Sequence, residues 1–433
     1  MLIDLRPLRV YRDYRLLFFG QTVSYLGSMV SYVAVPYQVY ELTHSTFHVG
    51  LLGAFQLAPV LVFGLVGGAV ADASDRRRLM LGAEAIMGVC ALGLALNAAR
   101  GQPSVAAIYV LSALLQAANG MHRPAMDALS QVLVEPADLP AMSALGSLRY
   151  NFAAVTGPAL GGALLALGGA KAAYAFDALT FALSFAALAL LRPSPAPAGA
   201  SPPGLASVAE GLRFALARPV LVGTYIVDFV AMLFAFPTAL FPAFGERWGG
   251  AAATGALFSA MSAGSLLLTL VSGWTARVDR RGAGVVLSAG AWGAAVVAFG
   301  FAPGLPAALF FLAVAGAADM LSGLFRGVIW NETVPNAMRG RLAGIEMISY
   351  MTGPLLGNAR AGWVASAFSL RASTVSGGAL CVAGVALAAL LLPAFWRYRS
   401  SEARPRADGG PPAPRADGDP PAARADDSPA APR

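Results

Sequence analysis

Apolar residues run along this chain in long blocks, interrupted at intervals by short clusters of arginine, aspartate, glycine and proline. A helix needs about 20 mostly apolar residues to cross a ~30 Å hydrocarbon core. Blocks of that length recur and predict twelve helices, over 15–40, 48–71, 79–98, 104–126, 143–167, 172–191, 220–244, 253–275, 284–302, 305–326, 343–368 and 373–396. Glycine and alanine blur the boundaries between the third and fourth, fifth and sixth, and eleventh and twelfth. The pattern predicts an all-α membrane protein.

The blocks repeat. Thr156-Gly157-Pro158, with Gly161 and Gly162 beyond it, returns as Thr352-Gly353-Pro354 with Gly357. Gly68-Ala-Val-Ala-Asp72-Ala-Ser-Asp75-Arg76-Arg77 is echoed by Gly273-Trp-Thr-Ala-Arg277-Val-Asp279-Arg280-Arg281, one residue shorter, and Arg123 has a counterpart in Arg326. Two homologous halves in one membrane are how many secondary transporters build a site that opens to alternate sides. Between them, the proline-rich stretch 192–204 cannot continue a helix. The division expected is therefore a six-helix bundle over 1–191, a linker over 192–219, a second six-helix bundle over 220–397 and a tail over 398–433. Residues 205–217 have helical apolar spacing and predict a short amphipathic helix on the membrane surface. The tail, rich in Pro, Ala, Arg, Asp and Gly, has little apolar surface to bury and is expected to be disordered.

Composition agrees with a lipid solvent: 57% of residues are hydrophobic and 12% charged, against roughly 45–50% and about 25% in soluble domains. The net charge of +7 reports topology rather than nucleic-acid binding. Arginines precede helix 1 and cluster after helices 2, 6, 8, 10 and 12, whereas the opposite loops carry Arg100, Lys171, Arg247 and Arg371. The positive-inside rule puts both termini in the cytoplasm of a multi-pass protein of the cell membrane. No cleavable signal peptide is expected, because the first apolar run is too long for one. Cys90 and Cys381 lie in apolar runs, so neither a disulfide nor a metal site is predicted. No cofactor is implied.

Gly68-x-x-x-Asp72-x-x-Asp75-Arg76-Arg77 resembles the loop motif of the major facilitator superfamily, and with twelve helices in two halves the resemblance covers about residues 10–397. It implies that Asp72, Arg76 and Arg77, with Gly68 and Asp75, tie the halves together on the cytoplasmic face when the transporter is outward-open. Ala73 and Asp75 depart from the family pattern, and the second copy, with Arg277 at the acidic position, is further degraded. The same charges read as topology anchors if they do not gate. Gly157-Pro158-x-x-Gly161-Gly162 resembles the antiporter motif of drug-exporting branches, which implies export; proline and flanking glycines also suit any kinked, closely packed membrane helix. Leu42–Leu51, Asp319-Met-Leu-Ser322 with Arg326, and Arg339-Gly-Arg341 resemble the enterobactin-type siderophore exporters and their macrolide-efflux relatives.

Carboxylates at membrane depth cost about 2.5–3.5 kcal/mol on insertion scales, so each invites an explanation. Asp228 in helix 7 leads as a proton-coupling group, with a structural hydrogen bond as the other reading. Asp319 lies two turns before Arg326, which suggests an intrahelical network. Glu346 follows Arg341 and suits either a gate or an anchor. Arg149 and Arg360 flank the two Gly-Pro segments and could hold an anionic substrate or an acidic partner; Arg149 could equally snorkel to the interface. Asp177 and Glu84 are expected near interfaces.

No phosphate-binding Gly-x-x-x-x-Gly-Lys-Ser/Thr loop exists around the sole lysine, Lys171. An enzyme would need a clustered nucleophile or paired histidines, and His44, His48 and His122 are scattered. The reading is a monomeric, proton-coupled exporter of small amphipathic molecules, drug-like or siderophore-like, with the lipid bilayer as its other partner. An importer of a small metabolite is the alternative.

Overall fold

The computed structural model describes residues 4–192, 205–335 and 338–403; within these, the side chains of 65–69, 71–73, 205–209, 211, 339–341, 343–345, 347–349 and 402–403 lie outside the description. Among the described residues there is helix and no strand. Among the described residues twelve membrane crossings can be traced: α1 (Arg12–Thr43), α2 (Thr46–Ala73), α3 (Arg76–Ala98), α4 (Val105–Val132), α5 and α6 within Leu139–Ala189, α7 (Pro219–Ala235, extended by further turns to Trp248), α8 (Gly250–Val271), α9 (Arg281–Gly300), α10 (Leu305–Thr333), α11 (Arg339–Ala367) and α12 (Leu370–Leu391).

Local chemistry sets the breaks. Gly169 divides α5 from α6 with φ 66°, a left-handed backbone that glycine adopts without steric cost. His44, at φ 47°, ends α1 and donates its N–H to Tyr40 O at 2.7 Å. Ser104 and Ser369 cap α4 and α12 by accepting from Ala107 N and Ala372 N, the side-chain capping that orphan first-turn amides favour. After α7 the chain turns at Phe236 and continues through Thr238–Leu240 and Phe241–Trp248, so the seventh span is a broken helix. The stretches around Gly157-Pro158 and Gly353-Pro354 stay helical inside α5 and α11.

The repeat seen in the sequence is a repeat of packing. A β-carbon on Gly157 would collide with Met29 of α1, and one on Gly353 would lie 2.7 Å from Met232 Cβ of α7. Each Gly-Pro helix thus lies against the first helix of its own bundle, α5 on α1 and α11 on α7. The chain is an all-α membrane protein of two pseudo-symmetric six-helix bundles.

An even number of crossings leaves both described chain ends on one side, here the terminal end. At the opposite, far end one apolar core joins the bundles, bringing Val30, Val33, Leu165 and Tyr174 together with Leu240, Phe241, Leu257 and Phe299. Trp292 centres a second core within the second bundle. Large apolar side chains such as Leu167, Leu270 and Leu390 are exposed, as a lipid-facing surface requires.

Helix Leu205–Leu216 forms where the sequence predicts it, and its Phe214 and Ala215 pack with Leu221, Val334 and Leu342 of the second bundle. The linker residues 193–204 and the tail residues 404–433 lie outside the described residues. Residues 398–403, expected in the disordered tail, are instead bound: Tyr398 and Ser400 donate to Glu332 Oε2, and Ser401 donates to Asp279. Nothing local announces these contacts, because they join residues 66 to 122 positions apart in the chain.

Candidate functional site

Two adjoining cavities, of about 450 and 430 Å³, lie between the bundles and share Tyr150, Phe236, Tyr350 and Pro354. The first is walled by residues of α1, α2, α3, α4, α5, α6, α8 and α11 and of the turn that follows α7. Tyr25 stacks on Tyr150 with ring centres 5.4 Å apart, and Tyr32 meets Phe258 edge-on across the bundles. Amide and hydroxyl groups punctuate this aromatic wall, including Gln56, Gln116, Asn119 and Asn358. Asn358 is oriented by Thr238 Oγ1 and Ala239 N, which donate to its Oδ1 at 2.8 and 2.9 Å. Such a surface can hold rings and satisfy their polar substituents.

One carboxylate lines this cavity. Asp177, expected near the outer interface, is instead 1% exposed and accepts from Ser31 Oγ of α1 and Thr180 Oγ1. The long apolar run of helix 6 hid its depth, because α5 and α6 form one nearly continuous element whose break lies at Gly169.

The second cavity holds the charge. Arg326 of α10 forms an ion pair through Nη1 with Asp228 Oδ1 of α7, while its Nη2 lies 3.9 Å from Asp319 Oδ1 on its own helix. Glu346 of α11 lines the same space. Both carboxylates line this cavity; the Asp228 side chain is 7% exposed and that of Asp319 40%, so Asp319 is the more open of the two. Arg326 Nε is buried without a hydrogen-bond partner. Three predicted residues, Asp228, Asp319 and Glu346, are therefore brought to one place. The arginine that organises them figured in the sequence as a repeat partner of Arg123, a neighbour of Asp319 and part of the exporter-like segment, not as a partner of Asp228. A lone arginine at membrane depth requires a carboxylate, and that rule points to it.

Arg149 and Arg360 line neither cavity. Arg149 Nη2 lies 3.4 Å from Met126 Sδ and its guanidinium interacts with Tyr14 and Asp127 inside the first bundle. Arg360 donates to Ser373 O of α12 at 3.1 Å and packs against Gly377. Their symmetry about the Gly-Pro segments is real in sequence but does not carry them to a common site.

In the loop motif, Asp75 caps α3 by accepting from Arg78 N at 3.2 Å, a sufficient reason for an aspartate where the family pattern has glycine. Arg77 donates to the last carbonyls of α6, Leu188 O at 3.0 Å and Ala189 O at 2.7 Å, and Arg76 reaches Ala128 O of α4. These bonds stay within the first bundle. The side chain of Asp72, and the surroundings of Gly68, lie outside the described residues. The second copy clasps the segment that follows α12, with Arg281 Nε donating to Ser400 Oγ and Asp279 accepting from Ser401.

The antiporter-like segment has a different address. Gly161 abuts Val30 of α1, and Gly162 faces the second bundle, where a β-carbon would lie 2.9 Å from Gly255 Cα and 3.0 Å from Ala251 O. On the opposite seam, a β-carbon on Gly50 of α2 would lie 2.7 Å from Asn358 O. Small residues let backbones touch where the far ends meet. Tyr40 Oη donates to Glu246 Oε2 at 2.9 Å and Thr46 Oγ1 to Gly362 O at 3.1 Å across the same region. The far end is thus closed.

Comparisons with known proteins follow this geometry. Residues 4–408 match the family profile described as transmembrane secretion effector. The chain is 30% identical over 411 residues to the enterobactin exporter EntS of Escherichia coli O157:H7 strain EC4115, covering 94% of this chain and 99% of that protein. It is likewise 30% identical over 412 residues to the enterobactin exporter EntS of Citrobacter koseri, covering 95% and 98%. Among solved structures, it resembles the POT family transporter PepTSo with TM-score 0.70 at 13% identity, covering 89% of this chain and 98% of that one. It also resembles a bacterial homologue of the iron transporter ferroportin in an inward-facing state, with TM-score 0.66 at 14% identity and coverage of 89% and 98%.

Proposed function

Because the chain belongs to the transmembrane secretion effector family of the major facilitator superfamily, and is therefore a membrane transporter and not an enzyme, we propose that it exports a small amphipathic molecule by proton antiport. The relatives that cover nearly its whole length are enterobactin exporters, which favours a siderophore-like or ring-bearing, drug-like substrate. The aromatic and amide-lined cavity supports that class, since rings stack on Tyr25 and Tyr150 while Gln116, Asn119 and Asn358 meet hydroxyls or amides.

The observation that carries the coupling is Arg326 held between Asp228 and the more open Asp319 on the cavity between the bundles. A proton bound to Asp228 neutralises the partner of Arg326. The arginine then turns to Asp319, and the carboxyl of Asp228 loses its tie across α7 and α10. Loss of that proton restores the pair. An ion pair excluded from water holds only while both members are charged, so proton occupancy and helix arrangement become linked. Substrate leaves the cavity when the far seam, α5 against α8 and α2 against α11, parts and the terminal ends close. Asp72, Arg76 and Arg77 would then tie the bundles at the terminal end, which the arginine distribution places in the cytoplasm.

The test is efflux of catecholate siderophores, macrolides and dyes from cells producing the protein, with and without a protonophore. Protonophore-sensitive loss of one class supports the reading and names the substrate. Inward accumulation of a compound by the same cells would overturn it.

A further inference from the structure

A second buried group of protonatable side chains lies outside both cavities, in the first bundle. Glu84 of α3 is 1% exposed. Its Oε1 accepts from Gln21 Nε2 of α1 at 2.6 Å and from Ser184 Oγ of α6 at 2.9 Å, and lies 3.3 Å from Nε2 of His122 on α4. Gln21 Nε2 also donates to Ser184 Oγ at 3.1 Å. Glu84 Oε2 is buried with no hydrogen-bond partner, and His122 is itself 6% exposed. Four helices therefore converge on one carboxylate.

The cluster has a fixed relation to the cavity. Gln21, Glu84, His122 and Ser184 each lie three or four residues from a residue that lines the first cavity, namely Tyr25, Met87, Asn119 and Phe181. One helical turn rises about 5.4 Å. In every case the offset points along the helix toward the terminal end, so the four form a polar layer one turn beneath the cavity floor. A polar layer of this kind inside a membrane-spanning bundle is costly to keep.

Charge decides what the layer can bind. Among the described residues, no arginine or lysine lies within ion-pair distance of Glu84; its one titratable partner is His122. The neighbouring elements bring their charges elsewhere. On α1, Asp13 pairs with Arg12; on α4, Arg123 lies over Tyr350 and Asp127 interacts with Arg123, Arg149 and His122. On α6, Asp177 is bonded to Ser31. On α3, Arg77 is bonded to the end of α6 and Cys90 is buried, and α2 offers only His48, at the far end, among its described side chains. With neutral His122 and ionised Glu84 the pair carries one uncompensated negative charge in an apolar bundle. One added proton removes it, and Glu84 Oε2, the oxygen without a hydrogen-bond partner, is where it rests.

We propose that Glu84 and His122 form a proton-binding pair in the first bundle, one turn beneath the cavity, separate from the Asp228–Arg326 pair of the second. Its ligand is a single proton, exchanged with water on the terminal side when α1, α3, α4 and α6 loosen. Its part in transport rests on the export reading above; its proton binding does not.

Infrared difference spectra of the purified full-length protein, recorded while pH is stepped between about 5 and 9, read the pair without any substrate. Expected is a titrating carboxyl C=O band in the wild type that is missing in Glu84→Gln, whose amide keeps the size and some bonds of the acid. His122→Gln, which retains Glu84, moves the midpoint of that band by about one pH unit or more. Carboxyl bands identical in wild type and Glu84→Gln, or a midpoint unmoved in His122→Gln, overturn the pair; the second result decides alone if Glu84→Gln fails to fold. In proteoliposomes, the number of protons moved per substrate falls by about one in Glu84→Gln, and an unchanged ratio overturns the role in transport. Absence of protonophore-sensitive efflux by the wild type would strike the export reading and leave the infrared result standing.

Discussion

Asp228 on α7 and Arg326 on α10 form an ion pair within the second bundle, although 98 residues separate them in the chain. Replacing one member strands the other: an uncompensated charge in such a place costs about 3–5 kcal/mol. Arg326 can turn to Asp319, so the lower end of that range applies to Asp228→Asn. The expected outcome is loss of pH-gradient-driven efflux with near-normal protein in the membrane. Adding Arg326→Gln to Asp228→Asn restores thermal stability and does not restore coupling. Undiminished gradient-driven efflux in Asp228→Asn would refute the assignment.

Gly162 of α5 and Gly255 of α8 let the two bundles touch backbone to backbone on one seam of the far end. A methyl group at 162 meets backbone, Gly255 Cα and Ala251 O, rather than a side chain that can rotate away. Gly162→Ala therefore disfavours the closed far end while leaving each bundle intact. A shift of ~1.4 kcal/mol changes the open-to-closed ratio about tenfold. Labels placed at Tyr40 and Glu246, 2.9 Å apart across the seam, should report a longer mean distance in the variant. An unchanged distance distribution would show that the seam does not depend on glycine.

Much of this architecture was legible because lipid leaves the chain few options. Apolar runs of sufficient length must span as helices, and the repeated Thr-Gly-Pro segments led directly to the matched packing of Gly157 on α1 and Gly353 on α7. Asp228, Asp319 and Glu346 were recognisable because charge at membrane depth is rare. What failed was assigning partners and depth. Asp319 and Arg326 are two turns apart on one helix, which suggested each other, yet the firm bond is to Asp228 on another helix. Glu84 stands only eight residues into α3, close enough to Arg76 to look interfacial, and nothing local reveals that Gln21, His122 and Ser184 close over it. Those contacts span 38 to 163 residues of sequence and exist only once four helices pack.

Arg360 separates a cavity residue from a framework one. It donates to Ser373 O and packs on Gly377 of α12 without lining either cavity. Arg360→Ala is expected to lower the unfolding temperature, because a hydrogen bond from a charged group contributes about 1.5–3 kcal/mol, and to leave the apparent KM for the exported compound within about twofold. A rise in KM of tenfold or more, with stability unchanged, would put Arg360 on the substrate path after all.

The degraded second copy of the loop motif binds the segment that follows α12. Asp279 accepts from Ser401 N at 2.8 Å and Ser401 Oγ at 3.0 Å. Those bonds, the backbone one foremost, hold its carboxyl below the ordinary carboxylate range. A depressed folded value gives a contribution that is complete above the unfolded value of about 3.9 and disappears as pH falls through the folded one. Asp279 is well exposed to water, so the clasp is worth below about 1 kcal/mol. Hydrogen exchange measured on the full-length protein in detergent can resolve it at the Ser401 amide. Asp279→Asn should raise that exchange rate by up to about fivefold over wild type at neutral pH. Because an asparagine does not titrate, the ratio of the two rates should hold down to about pH 5 and close toward one as the solution becomes more acidic than an ordinary carboxylate. A ratio that stays constant through the acid range would mean that the Asp279 charge does not hold Ser401. In that case Glu332, which accepts from Ser400 Oγ and Tyr398 Oη, would be the residue that fixes the segment.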